Sequence, residues 1–466
     1  MDAIPRIRPP MKGRTHRGSA VTRGFDAPRV LAQPHRVVVC GGGIVGLATC
    51  YYLARKGHEV VCIEREASVG CTASAANDGT YFDATLYSSW ADMSLLYQKH
   101  HAKHKPFRVH PRAWLDPSFW SWGVKFMLNM SSKKAKDNMR KTRDLDFYSQ
   151  RKLQELFRMF PELEDELDSV AEGTLELFAA ASTAEEIMDS DRIKHCMEYR
   201  YPLQPVDATE GRAIEPALRP DAIRLGAMFS PIGTNGDVHK TCLALAQLCK
   251  RHGVMFRCNT EIEDVLVVDD RVVAVQVRNG DLIEGDSFVL ALGNHTSSVA
   301  KLAGVKLPMY PIKGYVLRVP TTPNATPLKC NVYAGGQALI SPERDDMVRI
   351  SGGADITGFN YKKDAKRVAS LLSHAKKCFP DGYLDEAKMT TQVCLRPVSA
   401  DEVPLIGQTL IENLFINAGH GSRGWTLAFG AGALLADQIS GRAPEINIEK
   451  YSPLRFGLFA TTQPQP

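Results

Sequence analysis

The sequence predicts an α/β protein: a Rossmann-type parallel sheet interleaved along the chain with an α+β domain built on a mostly antiparallel sheet. Three observations predict it. Arg36 to Glu66 reads as strand, glycine turn, helix and strand. Asn413 to Arg442 reads as strand, glycine-rich loop and helix. Finally, 466 residues are many for one hydrophobic core, so two interleaved domains are expected.

In the opening unit, Val37 to Val39 form a buried strand, Gly41-x-Gly43-x-x-Gly46 the turn, and Leu47 to Arg55 the helix. Val60 to Ile63 form a second strand that ends on Glu64, eighteen residues after the last glycine. Gly41 makes the tight turn, Gly43 lets the backbone approach a pyrophosphate, and Gly46 lets helix and strand pack closely. The helix start, with Ile44 and Val45, presents unpaired N–H groups and a positive dipole to phosphate. Glu64, with Arg65 beside it, can accept hydrogen bonds from ribose hydroxyls; the alternative is a solvated acid at a strand end. These residues predict a dinucleotide site without saying which dinucleotide.

Cys71 to Thr80 is rich in small residues and suits close backbone approach to a ligand. Trp114 to Met130 is aromatic and apolar, read as a helix packed on the second domain or as a patch meeting a membrane or an electron acceptor. Lys133 to Leu167 is polar and helical, with most charges expected to face water. Asp237 caps a helix from about Val238 to Arg251. Ile262 to Val268, Arg271 to Val277 and Leu282 to Glu284 form a meander that turns at Asp269-Asp270 and Asn279-Gly280. Phe288 to Leu292, containing Ala291, is a buried strand stopped by Gly293. Tyr310 to Ile350 alternates as a second sheet, crossed by a helix from Lys363 to Cys378. Strand Leu414 to Ala418 then feeds the Gly419-His420-Gly421-Ser422-Arg423-Gly424 loop and a helix through Ile439, a second backbone site facing an anion.

The chain has 57 Lys and Arg against 52 Asp and Glu. The surplus lies in residues 1–35, which hold Arg6, Arg8, Lys12, Arg14, Arg17, Arg23 and Arg29. The remainder is formally neutral, which argues against extensive nucleic-acid binding. The Arg-rich start suits a mitochondrial presequence, although its prolines equally suit a disordered extension on a cytoplasmic protein. No run of about 18 apolar residues predicts a membrane span, leaving at most peripheral membrane contact. Eleven cysteines without a CxxC pair read as reduced, packed thiols. No metal-ligand cluster is apparent.

Several separated motifs resemble the small-subunit type of FAD-dependent D-amino-acid dehydrogenases, within the D-amino-acid oxidase and glycine oxidase superfamily. They are Ser74-Ala75-Ala76-Asn77-Asp78-Gly79, Gly173-Thr174-Leu175-Glu176-Leu177-Phe178 and Tyr310-Pro311-Ile312-Lys313-Gly314-Tyr315. Leu395-Arg396-Pro397 with Pro404-Leu405-Ile406-Gly407, and Gly419-His420-Gly421 with Gly424-Trp425-Thr426, complete the set.

The resemblance implies an FAD domain from 36–110, 225–300 and 390–445, and a substrate domain from 111–224 and 301–389, before a tail at 446–466. It implies that Ser74, Asn77 and Gly79 lie beside the flavin, that Ile262 meets adenine, and that Ala291 and Gly293 complete the cofactor site. The loop through Gly419, Gly421 and Gly424, continuing to Trp425 and Thr426, would face the flavin pyrimidine. Arg396 would hold a substrate carboxylate through two parallel hydrogen bonds, unless it pairs with a native acid. His420 would act as acid or base, or simply shape its loop.

The family has glycine where this chain has Cys394 and Glu402, and Gly-Thr-Leu-Gly at Gly421 to Gly424. It carries a substrate-contacting tyrosine near Gln337 or Ala338, a role left here to Tyr315 or Tyr333. The implied activity is oxidation of a small-molecule amino acid, of D configuration, to an imino acid, with a quinone or another carrier favoured over O2 as electron acceptor. Oxidation of sarcosine, glycine, proline or hydroxyproline, modification of transfer RNA, and a flavin-binding subunit with no independent catalysis are the alternatives.

Overall fold

The computed structural model describes residues 34–71, 107–178, 190–334 and 338–457. Ser74, Asn77, Gly79, Gln337 and nearly all of the Arg-rich start lie outside them.

A six-stranded sheet carries the nucleotide-type half. Its centre is β1 (Arg36–Cys40), flanked by β2 (Glu59–Ile63) and β11 (Ser287–Leu290), both parallel to it. Beyond β2 lies β7 (Met255–Arg257), parallel; beyond β11 lies β18 (Leu414–Ala418), parallel, and then β17 (Leu405–Gln408), antiparallel. The central strands β1, β2, β11 and β18 read as apolar runs because both faces of the parallel sheet are covered. The Ile44–Arg55, Val238–Arg251 and Gly424–Ile439 helices pack on one side. The meander β8 (Ile262–Val268), β9 (Arg271–Val277) and β10 (Leu282–Glu284) covers the other, burying Val265, Val272 and Val275 against Val38 and Phe288. Its first turn places Asp269 and Asp270 at φ 49° and 57°, the left-handed region that short polar side chains tolerate.

The second sheet contains nine strands. β12 (Met309–Pro320) lies between β16 (Thr390–Ser399) and β15 (Met347–Ile356), antiparallel to both. Then follow β14 (Ala338–Glu343), β13 (Asn331–Ala334), β4 (Thr174–Leu177), β6 (Ala227–Ser230) and β5 (Gln204–Val206), with β3 (Phe107–Val109) on β15. The Ala365–Lys376 helix crosses it, burying Leu371, Leu372 and Ala375.

The Ser132–Met159 helix departs from expectation. It turns Leu145, Tyr148, Leu153 and Leu156 into the core of the parallel-sheet half. It also buries Arg143 and Asp146, at 0% and 1% exposure. Asp146 pairs with Arg423 of the closing loop, and Ser149 Oγ accepts from the Gly430 amide at 3.0 Å. A polar sequence is thereby held inside by partners nearly three hundred residues away.

Candidate active site

A cavity of about 600 Å³ opens at the carboxyl ends of the parallel strands, where open α/β sheets place their ligands. The turn after β1 lines it with Gly41, Gly43, Ile44 and Val45, and the end of β2 with Glu64 and Arg65. Ile262 at the start of β8, and Ala291, Gly293, Asn294 and His295 after β11, form another wall. Gly419, His420, Gly421, Gly424 and Trp425 follow β18, and Leu395 and Pro397 come from β16.

Local chemistry fits a dinucleotide. A Cβ on Gly46 would strike the Gly41 carbonyl, whereas one on Gly43 would meet nothing within 4 Å. The first glycine therefore serves packing and the second leaves room for a ligand. No side chain caps the Ile44–Arg55 helix and no acid stands in its first turn, so its N-terminal amides remain for an anion. Glu64, 5% exposed, accepts the Gly42 amide at 2.7 Å and the Glu66 amide at 2.9 Å, one on each oxygen. That fixes the carboxylate while each oxygen keeps a lone pair for a ribose hydroxyl. The Gly424–Ile439 helix is likewise uncapped by a side chain.

Thr426, at the base of this helix, is buried and outside the lining set. His420 is 5% exposed, and burial depresses its imidazole to about 3. Glu402 takes φ 61°, the left-handed region that favours glycine. Arg423 is committed to Asp146.

Arg396 stands on β16 between two cavity-lining neighbours, partly buried, and its Nη1 donates to the Gly353 carbonyl at 2.6 Å. That carbonyl is turned by a bulge: pairing between β12 and β15 slips at Lys313 to Tyr315, and Gly353 has φ 77°. Tyr333 lies within electrostatic range of Arg396. Burial, with the nearby Glu176 carboxylate, pushes the Tyr333 hydroxyl up to about 12 against the Arg192 and Arg396 charges. Tyr315 is placed elsewhere. It is 1% exposed in the second core, and its hydroxyl donates to Asp355 at 3.0 Å, a carboxylate that Arg367 also holds. Gly314 and Tyr315, consecutive on β12, face opposite sides of the sheet, and it is Gly314 that lies against the Arg396 guanidinium.

Sequence reasoning missed Asn294, whose Nδ2 donates to the Leu395 carbonyl at 2.6 Å and so ties the β11 loop to β16. It also missed His295, Asn417 and Tyr361 in the cavity wall. Gly293 was the available signal for the first two, since a glycine closing a central parallel strand marks the loop at the ligand edge.

The parallel sheet, the two uncapped helix starts and the fixed Glu64 define a dinucleotide-binding protein. The chain belongs to the DAO family, FAD dependent oxidoreductase, which it matches over residues 36–438. It is 34% identical over 418 residues to the D-amino acid dehydrogenase of Methylobacterium radiotolerans, covering 88% of this chain and 97% of that relative. It is 33% identical to the D-amino acid dehydrogenase of Paramagnetospirillum magneticum, covering 90% and 99%. Among solved structures it shares its fold with L-proline dehydrogenase from P. horikoshii, with a TM-score of 0.69 at 19% identity over 91% of this chain and 98% of that one. Glycine oxidase from Geobacillus kaustophilus gives 0.64 at 22% identity, over 90% and 99%. The cofactor is therefore FAD. The relatives are bacterial and lend the mitochondrial expectation no support. Among the described residues, no helix is long and apolar enough to cross a membrane.

Proposed function

We propose that this enzyme oxidises D-amino acids to imino acids, which water converts to 2-oxo acids, and passes the electrons to a quinone or other carrier rather than to O2. One observation carries the reading: a partly buried guanidinium, Arg396, stands over Gly314 within electrostatic range of the Tyr333 hydroxyl, on the strand that borders the dinucleotide cavity through Leu395 and Pro397. The kinship with D-amino acid dehydrogenases supports the D configuration.

Gly41 to Val45, Glu64, Ile262 and the Gly419 to Gly424 loop would hold FAD. Bound there, FAD supplies a two-electron acceptor for the hydrogen on the substrate Cα. Arg396 binds the carboxylate through its planar fork, so that one end of the substrate is fixed in both charge and direction. Its bond to the Gly353 carbonyl fixes one edge of the guanidinium. Tyr333 offers a hydroxyl that stays protonated at neutral pH beside that site. His420, neutral through the physiological range, shapes the loop and adds no charge to it. The substrate amine enters the step uncharged, its lone pair assisting as the Cα hydrogen leaves. Such a scheme relies on positioning more than on a dedicated base.

Kinetics on a panel of D- and L-amino acids, with the corresponding amines lacking the carboxylate, test this reading. D-amino acids turn over with the highest kcat/KM and the amines poorly. Preference for sarcosine, glycine, proline or hydroxyproline would replace it with the related amine oxidation.

A further inference from the structure

The Pro117–Leu128 helix has two apolar faces and only one of them is used. Phe119, Trp122 and Phe126 turn inward, where Phe119 and Trp122 meet the Tyr310 ring with centroids 5.7 Å away. The outer face carries Trp120, Val124, Met127 and Leu128 at 49%, 55%, 70% and 65% exposure. The preceding turn adds Trp114 and Leu115 at 50% and 84%. Contiguous apolar surface of this kind on the outer side of a helix marks an interaction site.

The charges around the patch indicate what covers it. Arg112, two residues before Trp114, and Lys133, Lys134 and Lys136, at the start of the helix that follows Leu128, are all exposed, as is Asp137 beside them; the Lys134 Nζ donates to the Leu128 carbonyl at 3.0 Å, tying the basic segment to the end of the patch. Between His110 and Lys136 the single acid is Asp116. It is already committed, capping the helix through the Ser118 amide at 2.8 Å and accepting from the Tyr310 hydroxyl at 2.9 Å. The Trp120 indole N–H is satisfied locally by the Trp114 carbonyl at 2.9 Å, so the ring can enter an apolar phase without stranding a donor. Paired tryptophans and long aliphatic side chains flanked by basic residues match the acyl boundary of a bilayer whose headgroups are anionic.

We propose that the Trp114–Leu128 face docks this enzyme peripherally on anionic phospholipid bilayers. The claim is independent of the substrate reading. The test is sedimentation of the full-length holoenzyme with vesicles of phosphatidylcholine, with and without phosphatidylglycerol, read also by tryptophan emission. The wild-type protein should sediment with the anionic vesicles at low salt, with a blue shift, and should be released by salt. Met127→Asp with Leu128→Asp should weaken partition at least about tenfold, and so should Lys133→Glu with Lys136→Glu. Both variants should keep their flavin absorbance and their turnover with a soluble acceptor, since none of these residues touches the active site. Wild-type protein remaining in the supernatant, or variants that bind equally well, would overturn the proposal. Equal binding to neutral vesicles, or self-association abolished by the same variants, would overturn it too by assigning the face another occupant.

Discussion

Gly314 of β12 lies directly under the guanidinium of Arg396 on the neighbouring strand β16: a Cβ on Gly314 would stand 2.6 Å from Arg396 Cζ. The guanidinium proposed to bind the carboxylate is therefore seated on bare backbone and drawn to the Gly353 carbonyl beyond it. Gly314→Ala should push the guanidinium off this seat. A displacement of about 1 Å can cost roughly a hundredfold in a positioned reaction, so kcat/KM should fall about ten- to a hundredfold while FAD content stays at one per chain. Titration of bound flavin beside steady-state kinetics separates the two effects. An unchanged kcat/KM would show that Arg396 is not held by this seat.

Arg396 itself should be more sensitive. Arg396→Leu removes the charge and the fork, and a desolvated charge pair is worth roughly 2–5 kcal/mol, so kcat/KM should drop by two to three orders of magnitude with little change in the flavin spectrum. Arg396→Lys should recover part of the loss, having charge without planar geometry. Against amines that lack a carboxylate the Leu variant should lose little, which a general folding defect would not reproduce.

Cofactor retention should depend on Glu64 and Gly43. In Glu64→Gln an amide replaces one oxygen and faces the Gly42 or Glu66 amide, both donors now bonded to the carboxylate. A buried donor without a partner costs about 1–3 kcal/mol, so reconstitution of the apoprotein with FAD should weaken about ten- to a hundredfold. Gly43→Val fills open space that the pyrophosphate needs, and the purified protein should come out colourless. FAD bound at wild-type affinity by either variant would move the dinucleotide elsewhere.

Stability should fall on the acid side. Burial lowers His420 from 6.5 to about 3, and burial with the neighbouring His35 lowers His58 to about 4. The unfolded chain therefore takes up protons below about pH 6.5 that the folded chain refuses, and the loss grows as pH falls from 6.5 toward 4. Above 6.5 both states leave these imidazoles neutral and the contribution is flat. Urea midpoints measured across this window should decline less steeply in His420→Asn than in wild-type protein. Equal slopes would mean that His420 is protonated in the folded state.

Much of this was legible in the chain because the signals are local. The strand, glycines and Glu64 of the opening unit, the Asp237 cap, the three-strand meander and the Leu414–Ala418 strand each sit within about thirty residues of their partners. Other features depend on distant pairing. The seat of Arg396 needs a bulge between β12 and β15 as well as the pairing with β16, three segments across some eighty residues. Asp146 looked like a solvated helix charge because Arg423, which buries it, lies far along the chain. Tyr315 was expected, with Tyr333, to stand in for a substrate-contacting tyrosine near Gln337 or Ala338. Its pleat sends it instead to Asp355, and a one-residue change of face in a strand exchanges core for site.

Anaerobic addition of D-amino acids to the purified yellow protein is the most direct test of the central claim, that this FAD enzyme takes hydrogen from an amino acid held by its carboxylate. The oxidised flavin absorbance should bleach stoichiometrically with a preferred D-amino acid, while the L-enantiomer and the matching amine leave it nearly unchanged; Arg396→Leu should bleach at least about a hundredfold more slowly. Bleaching by the amine as fast as by the amino acid, or none with any amino acid in a protein that retains FAD, would contradict the account.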